Sequence, residues 1–135
     1  LSLEWRWTGK PTNSGVLLHT QGPDKVWPKC VEAQLMHENA GDFWLLNHSS
    51  LVVNGNRVGP KDFANAPKRG ASAEKPPGES NPYHITPNGD KVTLVVNGRL
   101  MNEGTTADPS SGAICLQSEG SPIQFRNIVL EPLEK

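Results

Sequence analysis

No apolar run in the sequence exceeds a few residues, so no segment offers the roughly 20 apolar positions of a bilayer-spanning helix. Charge of one sign is also missing: 13 Lys and Arg are scattered among 14 Asp and Glu, for a net charge of −1. A nucleic-acid binder neutralises phosphates with clustered cations, so no nucleic-acid partner is expected. Helical signals are lacking. Val31–Met36 comes nearest to one, but its apolar residues alternate instead of recurring every three or four positions. There is no set of His or Cys at metal-ligand spacing, no Gly-rich phosphate loop leading from a strand into a helix, and no Gly-x-Ser-x-Gly elbow. Cysteine is scarce: Cys30 and Cys115 fit an oxidising compartment no better than they fit the cytosol.

What is present in quantity is punctuation. The 13 Gly and 12 Pro among 135 residues read as many turns, hence many short strands. With 35% hydrophobic and 20% charged residues, residues 1–135 have material for one core and one domain. Period-2 alternation predicts strands over Leu1–Trp7, Gly15–Thr20, Lys29–Met36, Phe43–Leu46, Leu51–Val53 with Arg57-Val58 beyond an Asn-Gly turn, Tyr83–Thr86, Lys91–Val96, Arg99–Asn102, Gly112–Gln117 and Gln124–Leu130. Pro87-Asn88-Gly89-Asp90 is a hairpin signal, because Asn-Gly tolerates positive φ. Gly59–Pro82 has no periodicity and is predicted to be a long loop, functional or mobile, over one end or rim of a curved sheet. Leu-Val-Val-Asn-Gly occurs at Leu51–Gly55 and at Leu94–Gly98; no likeness extends beyond it, so it reads as convergent strand-and-turn chemistry.

Many strands without helices imply two packed antiparallel sheets. A jelly roll is preferred over an immunoglobulin-like sandwich, whose tyrosine corner the single Tyr83 is wrongly placed to supply. The chain opens in mid-strand. The expectation is that N-terminal strands have been removed, leaving a bare sheet edge open to a second chain or a dimer.

Alternation also makes a claim about chemistry. On the third strand Cys30, Glu32, Gln34 and Met36 share one face, while Val31, Ala33 and Leu35 share the other. Near the C-terminus Ala113, Cys115, Gln117 and Glu119 share a face in the same way. Carboxylates and carboxamides beside small neighbours suit a sugar trough, although both glutamines could equally solvate a surface or pair across strands. Trp27 and Trp44, near loops, are the candidate stacking platforms; Trp5 and Trp7 belong to the core. His37 ends the third strand, where a catalytic or binding group can sit and where a plain surface His is also common. Cys30 and Cys115 are expected on one face, and could bond only with Cα atoms within about 7 Å.

These residues resemble the 3-keto-disaccharide hydrolase domain family. Gly112–Ile128 is similar to its closing pattern, Leu-Gln-x-x-Gly followed by Phe-Arg-Asn-Ile. Asn13-Ser14-Gly15-Val16 resembles its Asn-Ser-Gly strand start, Val31-Glu32-Ala33-Gln34 its Glu-x-Gln strand, and Ala40–Trp44 a segment often found just after it. Val95–Gly98 resembles its Val-Asn-Gly hairpin, and Pro77–Asn81 stands where many members have Gly-Glu-Trp-Asn, with Ser80 replacing the Trp. The resemblance implies a concanavalin A-like jelly roll, a bacterial periplasmic or secreted setting, and cleavage of 3-keto-glycosides. Retaining glucanases of that fold carry Glu-x-Asp-x-Glu on one strand, whereas this strand reads Glu32-x-Gln34-x-Met36. A 3-keto sugar has an acidified C2 proton, so one base and one group polarising the ketone suffice for elimination, with water adding afterwards. The implied roles are Glu32 or Glu119 as base and Arg126 or Arg6 as charge stabiliser. Asn13, Gln34, Asn81 and Gln117 would bind hydroxyls, with His37 and Trp44 as further saccharide contacts. No cofactor is expected, a structural calcium ion alone being left open. The rival readings are a non-catalytic carbohydrate-binding module and a bacterial surface domain whose sheet edge recruits another chain.

Overall fold

Alternating sequences become strands, and in the computed structural model, which describes residues 1–133, no helix occurs among those residues. The strands are β1 (Ser2–Trp7), β2 (Gly15–Thr20), β3 (Cys30–Gln34), β4 (Phe43–Leu46), β5 (Ser50–Val53) and β6 (Asn56–Val58). They continue as β7 (Phe63–Ala66), β8 (Asn81–Asn88), β9 (Lys91–Val96), β10 (Arg99–Asp108), β11 (Ala113–Leu116) and β12 (Ile123–Val129). Two antiparallel sheets result, ordered β12-β1-β8-β9-β10-β5-β6 and β11-β2-β3-β4-β7. The all-β sandwich expected from the sequence is therefore the fold.

The apolar phase of each strand fills the space between the sheets. Val16 and Leu18 on β2, Val31 and Ala33 on β3, and Phe43 and Leu45 on β4 meet Leu3 and Trp5 on β1, Tyr83 and Ile85 on β8, and Val92, Leu94 and Val96 on β9. Trp5 lies 5.4 Å from Tyr83 in a tilted aromatic pair at the centre. Trp5 and Trp7 are core residues, as their alternation with Glu4 and Arg6 predicts. Packing of this density makes the inner phase intolerant of truncation, and Leu35→Ala would cost about 2–5 kcal/mol.

Two expectations need correction. Part of the predicted loop Gly59–Pro82 is strand: β7 closes the five-stranded sheet, with Ala64 and Ala66 turned inward and Phe63 and Asn65 outward. Methyl-sized side chains gave its inner phase too weak a signal. The remainder, Pro67–Ser80, crosses one end of the sandwich from β7 to β8 and is tied down along its length. Lys68 N donates to Asp42 Oδ1 at 2.8 Å, Arg69 N to the Met101 carbonyl at 2.7 Å, and Asn97 Nδ2 to the Ala73 carbonyl at 2.8 Å. The second correction concerns the N-terminal edge. β1 pairs with β12 on one side and β8 on the other, because the chain returns at its end to satisfy β1's backbone groups. The open edges are β12, β6, β11 and β7.

Candidate functional site

The outward face of the five-stranded sheet gathers six of the candidate residues. Antiparallel register sorts its side chains into rows across the strands, each row roughly 6.5–7 Å from the next. In the first, Asn13 bridges to Glu119, and the His37 amide donating to the Thr12 carbonyl brings Met36 alongside. The second sets Gln117, whose amide donates to the Gly15 carbonyl, beside Gly15 and Gln34. The third runs Cys115, Leu17, Glu32, Trp44, Asn65. The fourth holds Cys30, Leu46 and Phe63. Trp27, from the β2–β3 connection, packs edge-on against Phe63 with ring centroids 5.9 Å apart and planes at 85°.

Glu32 stands at the junction between polar and apolar rows. It is buried, in the wall of a cavity of about 170 Å³ that Asn13, Gln34, Trp44 and Glu119 also line. Loss of hydration, and secondarily the charge of Glu119, push its carboxyl up to about 8. Gly15 makes this placement sterically feasible: a Cβ at position 15 would collide with Glu32 Oε1 and lie 3.0 Å from its Cδ. Gln34 is fixed by its own strand end, its Oε1 accepting from the Leu35 and Met36 amides at 3.0 Å each. That leaves its Nε2 as a donor for the cavity. Asn13 Nδ2 donates to Glu119 Oε2 at 3.1 Å, while Asn13 Oδ1 and Gln117 Oε1 are buried acceptors without a partner. Acceptors of that kind suit the hydroxyl donors of a sugar. A second cavity of about 270 Å³ adjoins the first across Trp27 and Glu119, and Gln117, Ser118, Asp24 and Lys25 line it.

Structure thus brings together Asn13, Glu32, Gln34, Trp44 and Glu119, with Gln117 alongside, and it separates four other candidates from them. Arg6 and Arg126 lie on the outer face of the other sheet, because Trp5 and Trp7 claim the inward phase of β1. There Arg6 Nε donates to Gln124 Oε1 at 2.7 Å, and Arg126 Nη2 to Glu4 Oε1 at 3.1 Å. Neither can reach a charge developing beside Glu32 through the core. Asn81 is buried as a staple for the Pro67–Ser80 segment: its Oδ1 accepts from the Lys75 amide at 2.8 Å and Asn97 Nδ2 at 2.9 Å, and its Nδ2 donates to the Glu79 carbonyl at 3.3 Å. His37 has turned away from the trough into a separate cleft, with its Nδ1 3.7 Å from Glu74 Oε1.

Cys30 and Cys115 do share the trough face, in a small cluster with Leu17 and Leu46, and both are free thiols. β2 lies between their strands, so two strand spacings, roughly 9–10 Å, keep them from bonding. Burial pushes the Cys30 thiol up to about 12, with Glu32 and Cys115 adding to the effect. Sequence reasoning missed Gly15 as the space beneath Glu32 and Phe63 as a wall of the trough. Phe63 was missed together with its strand, whose inner phase is only Ala64 and Ala66.

The model of one protein family, described as a 3-keto-alpha-glucoside-1,2-lyase-like domain, matches residues 1–131. Two crystal structures of candidate glycosyl hydrolases from Parabacteroides distasonis ATCC 8503 share the fold. One, at 20% identity and a TM-score of 0.61, aligns over 93% of this chain and 67% of its own. The other, at 21% identity and a TM-score of 0.60, aligns over 93% of this chain and 73% of its own. No curated protein matches the chain.

Proposed function

The chain belongs to the 3-keto-alpha-glucoside-1,2-lyase-like domain family, and from that membership we propose that its trough cleaves the glycosidic bond of 3-keto-glycosides by elimination followed by hydration. The observation that carries this reading is Glu32, a buried carboxyl raised to about 8 in the wall of a trough lined with hydroxyl-binding groups. A carboxylate of that basicity is matched to removing a carbon-bound proton acidified by a neighbouring ketone.

The Glu32 carboxylate takes the C2 proton, and the electron pair passes into the enolate of the 3-ketone. Gln34 Nε2, oriented because its Oε1 is held by two backbone amides, donates to the developing oxyanion. The enolate then expels the C1 substituent, forming the C1–C2 double bond and restoring the ketone. The departing oxygen takes a proton from the newly protonated Glu32 or from water, and water then adds across the double bond, hydroxyl to C1 and hydrogen to C2, to complete net hydrolysis. Arg6 and Arg126 have no part in this scheme, since the core lies between them and the trough. Asn13 orients Glu119 through its 3.1 Å hydrogen bond, and Gln117 Oε1 accepts from a sugar hydroxyl.

The test is incubation with a 3-keto-glucoside and with its unoxidised parent, reading aglycone release. Release from the keto sugar alone is expected, with a rate that rises as pH approaches about 8 and Glu32 ionises. Equal release from both would point to ordinary two-carboxylate hydrolysis and overturn the proposal.

A further inference from the structure

The trough changes character along its strands. On one side of Glu32 stand Asn13, Gln34, Gln117 and Glu119, all able to bind hydroxyls. On the other side Leu46 and Phe63 continue the face, and Trp27 packs edge-on against Phe63 and lines the same cavity. Trp27 is 43% and Phe63 52% exposed. Large apolar groups clustered at the mouth of a polar cavity form a surface that the apolar part of a ligand can cover. Asn65 shares this face, but its Nδ2 is turned to the Phe43 carbonyl at 3.1 Å and towards Asp42.

We propose that this apolar half is an aglycone subsite, and that the substrates are glycosides whose leaving group is a flat aromatic ring. The inference rests on the reading that the trough binds a glycoside. Perpendicular packing of Trp27 and Phe63 forms a corner, in which a third ring stacks on one face and meets the edge of the other. A second sugar could stack on Trp27, but Leu46 and Phe63 offer its hydroxyls no partner, and Asp24 and Lys25 line the adjoining cavity instead of this one. Rows on either side of Glu32 are separated by roughly 13–14 Å, enough for two rings bridged by the scissile oxygen.

The experiment measures binding to Glu32→Gln, where turnover is suppressed, by calorimetry with 3-keto-glucosides that differ only in aglycone: phenyl, methyl, or a second glucose. Cleavage by the parent protein is read alongside. The phenyl compound is expected to bind about 10-fold or more tightly than the other two. Trp27→Ala and Phe63→Ala should each erase about 5- to 20-fold of phenyl affinity, and Trp27→Phe should restore most of it. Both rings are half-exposed, so their truncation leaves the core intact. Equal binding of phenyl and methyl compounds, or preference for the second glucose, would overturn the aglycone assignment while cleavage upheld the glycoside reading. Neither binding nor cleavage of any of the three would overturn both.

Discussion

Glu32→Gln should make this protein more stable and nearly inactive at once. Glutamine preserves the shape of the side chain and stays neutral, so it removes only the burden of ionising a buried group. Below about pH 4.5 Glu32 is protonated in folded and unfolded chains alike, and the variant should match the parent. Between about 4.5 and 8 the unfolded chain releases this proton while the folded chain keeps it. The unfolded state then binds fewer protons, and the parent loses stability as pH rises. Above about 8 both states are ionised and the difference levels off. A displacement from 4.5 to about 8, at 1.36 kcal/mol per unit, sets the gap on the order of 3–5 kcal/mol. That is a large share of a typical 5–15 kcal/mol total, or roughly 10 °C or more in Tm for a domain of this size. Urea titrations of parent and variant followed by tryptophan fluorescence from pH 5 to 9 would measure it. Cleavage of a 3-keto-glycoside, read on the same samples, should fall by about 10²–10⁴. A gap that stays constant across this pH range would refute the reasoning, whatever happened to activity.

Three further outcomes follow from the geometry. Gly15→Ala puts a methyl against the Glu32 carboxylate, so kcat should fall at least 10-fold beside a stability cost of about 1–3 kcal/mol; unchanged kcat would show that Glu32 need not lie where it does. Arg6→Ala and Arg126→Ala should each leave cleavage within a factor of about two and stability within about 0.5 kcal/mol, by the same two assays. A large loss of cleavage in either would return these arginines to the site. Asn81→Ala removes the clamp on the Pro67–Ser80 segment and should cost about 1–3 kcal/mol in denaturant unfolding without altering kcat; a selective loss of kcat would make Asn81 a substrate contact.

The sandwich was legible because its strands alternate strongly. Val31, Ala33 and Leu35 against Glu32 and Gln34 declare which face is core before any coordinate is known, and the outward face of β3 is where the trough lies. Glu119 and Gln117 were legible by the same rule. What alternation cannot state is which sheet a strand joins. Arg6 and Arg126 looked equivalent to Glu32 as outward residues of strands, yet β1 and β12 belong to the opposite sheet and face away. Asn81 was unreadable for another reason: its partners Lys75 and Asn97 are set by how a turn folds back, and no local periodicity encodes that. β7 was hidden because Ala64 and Ala66 bury too little surface to mark an inner phase. Gly15 shows the converse, a residue whose contribution is the volume it leaves free.

The measurement closest to the central claim uses a 3-keto-glycoside carrying deuterium at C2. With Glu32 drawing off the C2 proton, the deuterated substrate should be cleaved more slowly than its protonated twin. Product formed in ordinary water should also have lost the label. Cleavage at equal rates with the deuterium fully retained would mean that C2 is never deprotonated, and would contradict the account.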